Sequence, residues 1–151
     1  MAKHKTILFA EDDLVLLAAY GKSLEKAGYR IIPARNGLVT LKNLFTSAPD
    51  LLIVDLMMPK LDGEKLLQFI WSPPRLTKVP VIILSSKSFI EPEYERLMKF
   101  AAKYLKKQEC SPAILLEAVR EQFSRRFEKA TVSLSENLPP LIQTKVPVLA
   151  G

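Results

Sequence analysis

Three features of the sequence predict an α/β fold, a doubly wound parallel sheet of five strands with five helices. Short apolar runs alternate with helical stretches five times. The strongest runs are apolar at consecutive positions, as strands covered on both faces are, rather than at every second position. Each run then stops on a polar or charged residue, and right-handed crossovers are the economical connection between such parallel strands.

The first strand is expected at residues 6–10 (Thr-Ile-Leu-Phe-Ala), and it ends at Glu11, Asp12 and Asp13. A helix over 14–27 follows, with Leu14, Leu17, Ala18 and Leu24 as its inward set and Gly28 as its stop. Residues 29–33 form a second strand. Asn36-Gly37 marks a turn before a helix over 38–47, which Ala48-Pro49 closes. The third strand, 51–54, is led by Asp50 and ends on Asp55; Pro59 and Gly63 then break the chain before a helix over 64–71 that Ser72-Pro73-Pro74 ends. A fourth strand over 79–84 ends in Ser85 and Ser86, and Pro92 suits the first turn of a helix over 93–101. A weaker fifth strand, 103–106, ends at Lys107. Ser111 as N-cap and Pro112 at the first helical position open the last helix, with Leu116, Val119, Phe123 and Phe127 on one stripe. From about residue 130 the period is lost, and Pro139, Pro140 and Pro147 mark an extended or disordered tail. Its Leu138-Pro-Pro-Leu141 and Val146-Pro-Val-Leu149 segments suit a partner's groove, although an inert tail is the simpler reading.

Composition narrows the function. A chain of 151 residues with 48% hydrophobic content fits one domain. No apolar run reaches the roughly 18 to 20 residues of a membrane span, and a cytoplasmic protein is expected. The one cysteine, Cys110, precludes an intrachain disulfide, and the one histidine, His4, precludes a histidine-based metal cluster or hydrolase triad. Any metal is therefore expected on oxygen ligands, as Mg²⁺ or Mn²⁺. The net charge is +6, and residues 96–129 carry nine basic against four acidic side chains. Such a face either meets an acidic partner or is simply solvated.

In a parallel sheet all strand C-termini share one edge, where ligands of such folds bind. Asp55 by itself would most often only begin a turn. Beside it, however, this edge gathers Glu11, Asp12 and Asp13, then Ser85, Ser86 and Lys107. Clustered carboxylates raise one another's pKa, and a divalent cation relieves them. A carboxylate in this setting is a nucleophile for phosphorus, with Lys and Ser to hold the transferred oxygens.

These motifs resemble the receiver domain of the two-component response-regulator family: Glu11-Asp12-Asp13 after strand one, Asp55-Leu-Met-Met-Pro-Lys-Leu-Asp-Gly63, Ser85-Ser86 after strand four, and Tyr104 with Lys107 at strand five. The resemblance covers about residues 5–127 and implies a flavodoxin-like sheet of order 2-1-3-4-5. Together with the change of character near residue 130, it gives an expected receiver domain over 1–129 and a tail over 130–151. By the same resemblance Asp55 is the phosphoacceptor, served by a histidine kinase or phosphotransfer protein. Glu11, Asp12, Asp55 and the Met57 carbonyl would be the Mg²⁺ ligands, Asp12 directly and Glu11 more through water, which leaves Asp13 to cap the first helix. Ser85 would be the hydroxyl switch with Ser86 as its small neighbour, Lys107 the phosphoryl partner, and Tyr104 the aromatic that turns inward.

The sequence departs from the family pattern at two positions. Gln108 stands where the family usually has a proline in a cis bond; a non-proline cis bond costs about 2.5 to 4 kcal/mol, so a trans bond is expected. Phe100 stands where the family often has Gly, placing a bulky ring beside the signalling face. Met57 and Lys87 occupy positions that influence phosphoryl lifetime in the family.

With too few residues beyond 127 for a DNA-binding domain, the expected output is contact with a downstream protein target through the fourth helix, fifth strand and fifth helix. Direct DNA binding, membrane insertion and enzymatic turnover beyond self-catalysed phosphoryl transfer and loss are not expected. The alternative is a receiver-like module that works without phosphate and holds an acidic protein or nucleic acid on its basic face. A phosphohydrolase is the weakest reading, because no second Asp follows two residues after Asp55.

Overall fold

The structure, a computed structural model, describes residues 3–60, 62–72 and 78–136. Strands β1 (Thr6–Ala10), β2 (Arg30–Ala34), β3 (Leu51–Val54), β4 (Val81–Ser85) and β5 (Lys103–Lys106) form one parallel sheet in the order β2-β1-β3-β4-β5. They alternate with α1 (Leu14–Lys26), α2 (Gly37–Ser47), α3 (Gly63–Trp71), α4 (Glu91–Met98) and α5 (Pro112–Glu136). Contacts divide the chain into two compact units, residues 1–118 and 119–151, and the division falls inside α5.

The central strands are apolar at every position because both faces are covered. Leu8, Ala10, Leu52, Val54, Val81 and Ile83 point to one side, into a core with Leu44, Leu66, Leu67, Ile70 and Leu97. The alternate residues Ile7, Phe9, Leu51, Ile53 and Ile82 are equally buried on the other side, where the Phe9 ring stacks on Tyr20 at 6.2 Å. Asp50, the one acid leading β3, accepts from the Thr6 amide at 2.8 Å and donates its own amide to the Thr6 carbonyl, which fixes the register of β3 on β1. Pro33 is tolerated within β2 because that strand lies at the edge of the sheet.

Several expectations need correction. In α1 the inward residues are Tyr20, Gly21 and Leu24, whereas Leu14 is half exposed and Ala18 is exposed. The helix is rotated so that the Tyr20 hydroxyl reaches the Cys110 carbonyl, at 2.5 Å, and leaves Leu14 to solvent. Helix α4 starts at Glu91 and stops at Met98, short of residue 101, and the Phe100 amide closes a tighter turn onto the Leu97 carbonyl at 2.9 Å. The Phe100 ring packs edge-on to Trp71 at 5.9 Å while Trp71 Nε1–H donates to the Phe100 carbonyl, and the ring is partly buried against the core. Helix α5 runs on through residues 131–136, where the sequence predicts an extended or disordered tail. No Gly or Pro interrupts it there, and the Thr131 hydroxyl folds back onto the Phe127 carbonyl at 2.8 Å. Phe127, placed on the inward stripe by its spacing, is 66% exposed. The two proline-containing apolar segments of the tail lie outside the described residues.

Candidate functional site

The C-terminal ends of β1, β3, β4 and β5 bring the singled-out side chains to one edge. Pairing of Ala10 with Val54 sets the start of the acidic run beside Asp55, and the Asp55 amide donates to the Ala10 carbonyl at 3.0 Å. Pairing of Val54 with Ile83, and of Ser85 with Lys106, carries the edge across to Lys107. Ser85 is the last residue of β4 and wholly buried, one position later than the expected strand end.

The centre of the site is an ammonium between two carboxylates. Lys107 Nζ lies 2.5 Å from Glu11 Oε1 and 2.7 Å from Asp55 Oδ2, with Glu11 and Asp55 almost completely buried. Asp55 Oδ1 accepts from the Met57 amide at 3.0 Å, so both carboxylate oxygens are held. Ligand oxygens of Glu11, Asp12 and Asp55 lie within 4.8 Å of one another. Asp13 faces away: its carboxylate caps α1, accepting from Val15 and Leu16, as expected. Beside Asp12 an open cleft is lined by Pro33, Arg35, Asn36, Val39 and Pro59.

The electrostatics follow from burial. Burial pushes the Glu11 carboxyl up to about 7, with Lys107 pulling it down and Asp55 adding to the rise. For Lys107, burial alone would lower the pKa, and the hydrogen bonds and charges of Asp55 and Glu11 outweigh it, so the ammonium is held above its usual range. One ammonium therefore does not fully compensate this edge. Three converging oxygen donors with no nitrogen or sulfur suit a hard cation, Mg²⁺ or Mn²⁺, which fits the residues present.

A pH dependence follows. Because the folded state holds the Glu11 proton up to about pH 7 and the unfolded chain releases it near 4.5, the folded state binds more protons across that window. The Glu11 contribution to stability is then fully present below about 4.5 and is lost as pH rises through 7, a loss on the order of 3 kcal/mol. In chelator-treated protein, Glu11→Gln removes this slope. The variant's melting temperature relative to wild type should climb by several degrees between pH 5 and 8; a constant difference would contradict the assignment.

Ser85 Oγ accepts from the Lys87 amide at 3.3 Å, and Gln108 Nε2 donates to the Ser86 carbonyl at 3.2 Å. Tyr104 is not at the carboxylate cluster. Its ring is half buried against Phe89 and Tyr94, at 5.5 and 6.0 Å, and its hydroxyl donates to the Lys87 carbonyl. The Lys87 ammonium sits 4.8 Å over the Phe89 ring, and the Met57 side chain is exposed. The Lys107 to Gln108 bond is trans, as expected, since the described residues contain no cis peptide. Two features escaped sequence reasoning. Gly63 stands against the Leu56 backbone, and Gln108 reaches across to Ser86, just past β4; neither contact leaves a local signal in the sequence.

A doubly wound α/β domain whose strand ends collect three carboxylates, two of them paired with one lysine, is the class of protein this geometry defines. Residues 7–120 match the response regulator receiver domain, and the chain belongs to that family. Two-component signalling through an aspartyl phosphate, with Mg²⁺, is typical of its members. The chain is 35% identical over 127 residues to the response regulator GtcR of Aneurinibacillus migulanus, covering 82% of this chain and 50% of that protein. It is 31% identical over 118 residues to a gliding motility regulatory protein of Myxococcus xanthus, covering 78% of this chain and 15% of the other. The chain thus spans half or less of these relatives. Among solved structures, the Francisella response regulator 1452 receiver domain aligns with TM-score 0.73 at 29% identity, over 82% of this chain and 99% of that one. The chemotaxis response regulator CheY4 of Vibrio cholerae aligns with TM-score 0.72 at 21% identity, over 79% and 98%, and shares the fold. No helix among the described residues is long and apolar enough to cross a membrane.

Proposed function

We propose that Asp55 accepts a phosphoryl group from a histidine kinase or phosphotransfer protein, and that the modified chain signals by contact with a downstream protein through α4 and β5. The observation that carries this reading is the Lys107 ammonium seated between Glu11 and Asp55, with Asp55 Oδ1 already oriented by the Met57 amide.

An Asp55 carboxylate oxygen attacks phosphorus as the phosphorus–nitrogen bond of the donor phosphohistidine breaks, and the imidazole nitrogen departs with the bonding pair. Lys107 pairs with one phosphoryl oxygen and the Ser85 hydroxyl donates to another. Glu11, Asp12, Asp55 and the Met57 carbonyl would hold Mg²⁺, or Mn²⁺, which when bound supplies positive charge to the transferring oxygens. The modified side chain carries roughly −1.5 to −2 charges. That added charge draws on the Ser85 hydroxyl, shifts the 85–87 segment and frees Tyr104 from the Lys87 carbonyl to turn inward. The chain acts in the cytoplasm as a switch, with self-catalysed transfer and loss of the phosphoryl group as its only chemistry.

Acetyl phosphate with Mg²⁺ is expected to label the wild-type chain and not Asp55→Asn; full labelling of the variant would overturn the reading. Salt-dependent capture of an acidic partner, unchanged by phosphorylation, would favour the phosphate-independent module instead.

A further inference from the structure

We propose that Gln108 is a positioning residue that sets the Ser85 hydroxyl for the phosphoryl group, an inference that rests on Asp55 as the acceptor. Ser85 Oγ accepts one hydrogen bond, from the Lys87 amide at 3.3 Å, so its own O–H remains available to an incoming oxygen. Ser85 is wholly buried, and its oxygen contacts the backbone two residues further on. That backbone is held at two successive carbonyls, Ser86 by Gln108 Nε2 at 3.2 Å from the turn after β5, and Lys87 by the Tyr104 hydroxyl from within β5.

Gln108 also directly follows Lys107 in the short 3₁₀ turn Lys107–Glu109. One side chain therefore ties the segment that carries the hydroxyl to the segment that carries the ammonium, and the two donors meet a phosphoryl group at a fixed separation. Donors fixed in advance in a dry site are worth more to developing charge than donors that must be ordered during the reaction. A residue without a side-chain donor, such as proline, could not make this tie.

The test uses Mg²⁺ with beryllofluoride as a stand-in for the phosphoryl group, titrated calorimetrically into the full chain. Gln108→Ala and Gln108→Glu, the second keeping the length without the N–H donor, should each weaken beryllofluoride binding about two- to tenfold, the span of one net hydrogen bond. The affinity for Mg²⁺ alone should not change. In a Ser85→Ala background the Gln108→Ala effect should vanish, because the two residues act as a unit. The same weakening in that background, or no weakening in either Gln108 variant, overturns the proposal. Failure of the wild-type chain to bind beryllofluoride would instead bring down the reading of Asp55 itself.

Discussion

Gly63→Ala is expected to be among the most damaging single-methyl additions in this domain. A Cβ at this position would stand 2.5 Å from Leu56 Cα and 2.8 Å from the Leu56 carbonyl oxygen. Both are backbone atoms, so no side-chain rotation relieves the clash. Leu56 directly follows Asp55, and Gly63 opens α3, whose N-cap Asp62 is fixed by bonds to the amides of Glu64 and Lys65 at 2.9 and 3.2 Å. Either the helix start moves or the 55–57 turn does. Overpacking of this kind costs about 3 kcal/mol, read as a fall in melting temperature of roughly 10 °C. If the turn moves, Met57 no longer orients Asp55, and a misplacement of about 1 Å can slow labelling by acetyl phosphate up to about a hundredfold. Gly21→Ala is the matched control. Its added Cβ meets nothing within 4 Å inside α1, so it should raise stability by about 0.5 to 1 kcal/mol. Equal effects from the two substitutions would show that the approach of Gly63 to Leu56 does not matter.

The sheet was legible because its strands are buried on both faces. Ile7 to Phe9, Leu51 to Val54 and Ile82 to Leu84 leave little choice of element, and polar residues mark where each run stops. The site edge was legible for the same reason: parallel strands put their ends together, so Glu11, Asp55 and Lys107 could be grouped without knowledge of contacts. Helix faces were harder to place. Tyr20 is both apolar and a hydroxyl donor, and Gly21 has no hydrophobicity to count, yet these two residues join Leu24 on the buried face of α1. Apolar spacing also placed Phe127 inward, although it is exposed. Just past the stop of α4, the Phe100 carbonyl meets Trp71, a tertiary contact across 29 positions that no local pattern announces. Within the acidic run, sequence order does not reveal that Glu11 is the buried partner of Lys107 while Asp12 is exposed; that follows from the strand's pleat.

Lys107→Met should separate two properties that usually fall together, raising affinity for Mg²⁺ while slowing phosphorylation. The ammonium lies within 2.7 Å of an oxygen on each of Glu11 and Asp55, carboxylates that also belong to the cluster able to take a divalent cation. Two unit charges about 4 Å apart exchange roughly 4 kcal/mol at an effective dielectric of 20, so removing the competing cation should tighten Mg²⁺ binding by about tenfold or more. Without metal the same change strands two buried carboxylates, and breaking such a pair costs about 3 to 5 kcal/mol. The penalty is largest above pH 7, where Glu11 ionises, and it should shrink on adding Mg²⁺. Phosphoryl transfer loses a donor aimed at the transferred oxygens, so labelling by acetyl phosphate at saturating Mg²⁺ should fall by about a hundredfold. Calorimetric Mg²⁺ titration, thermal melts with and without chelator, and the labelling rate read these three effects separately. Weaker Mg²⁺ binding together with an undiminished labelling rate would mean that Lys107 helps to hold the metal site and does not serve the phosphoryl group.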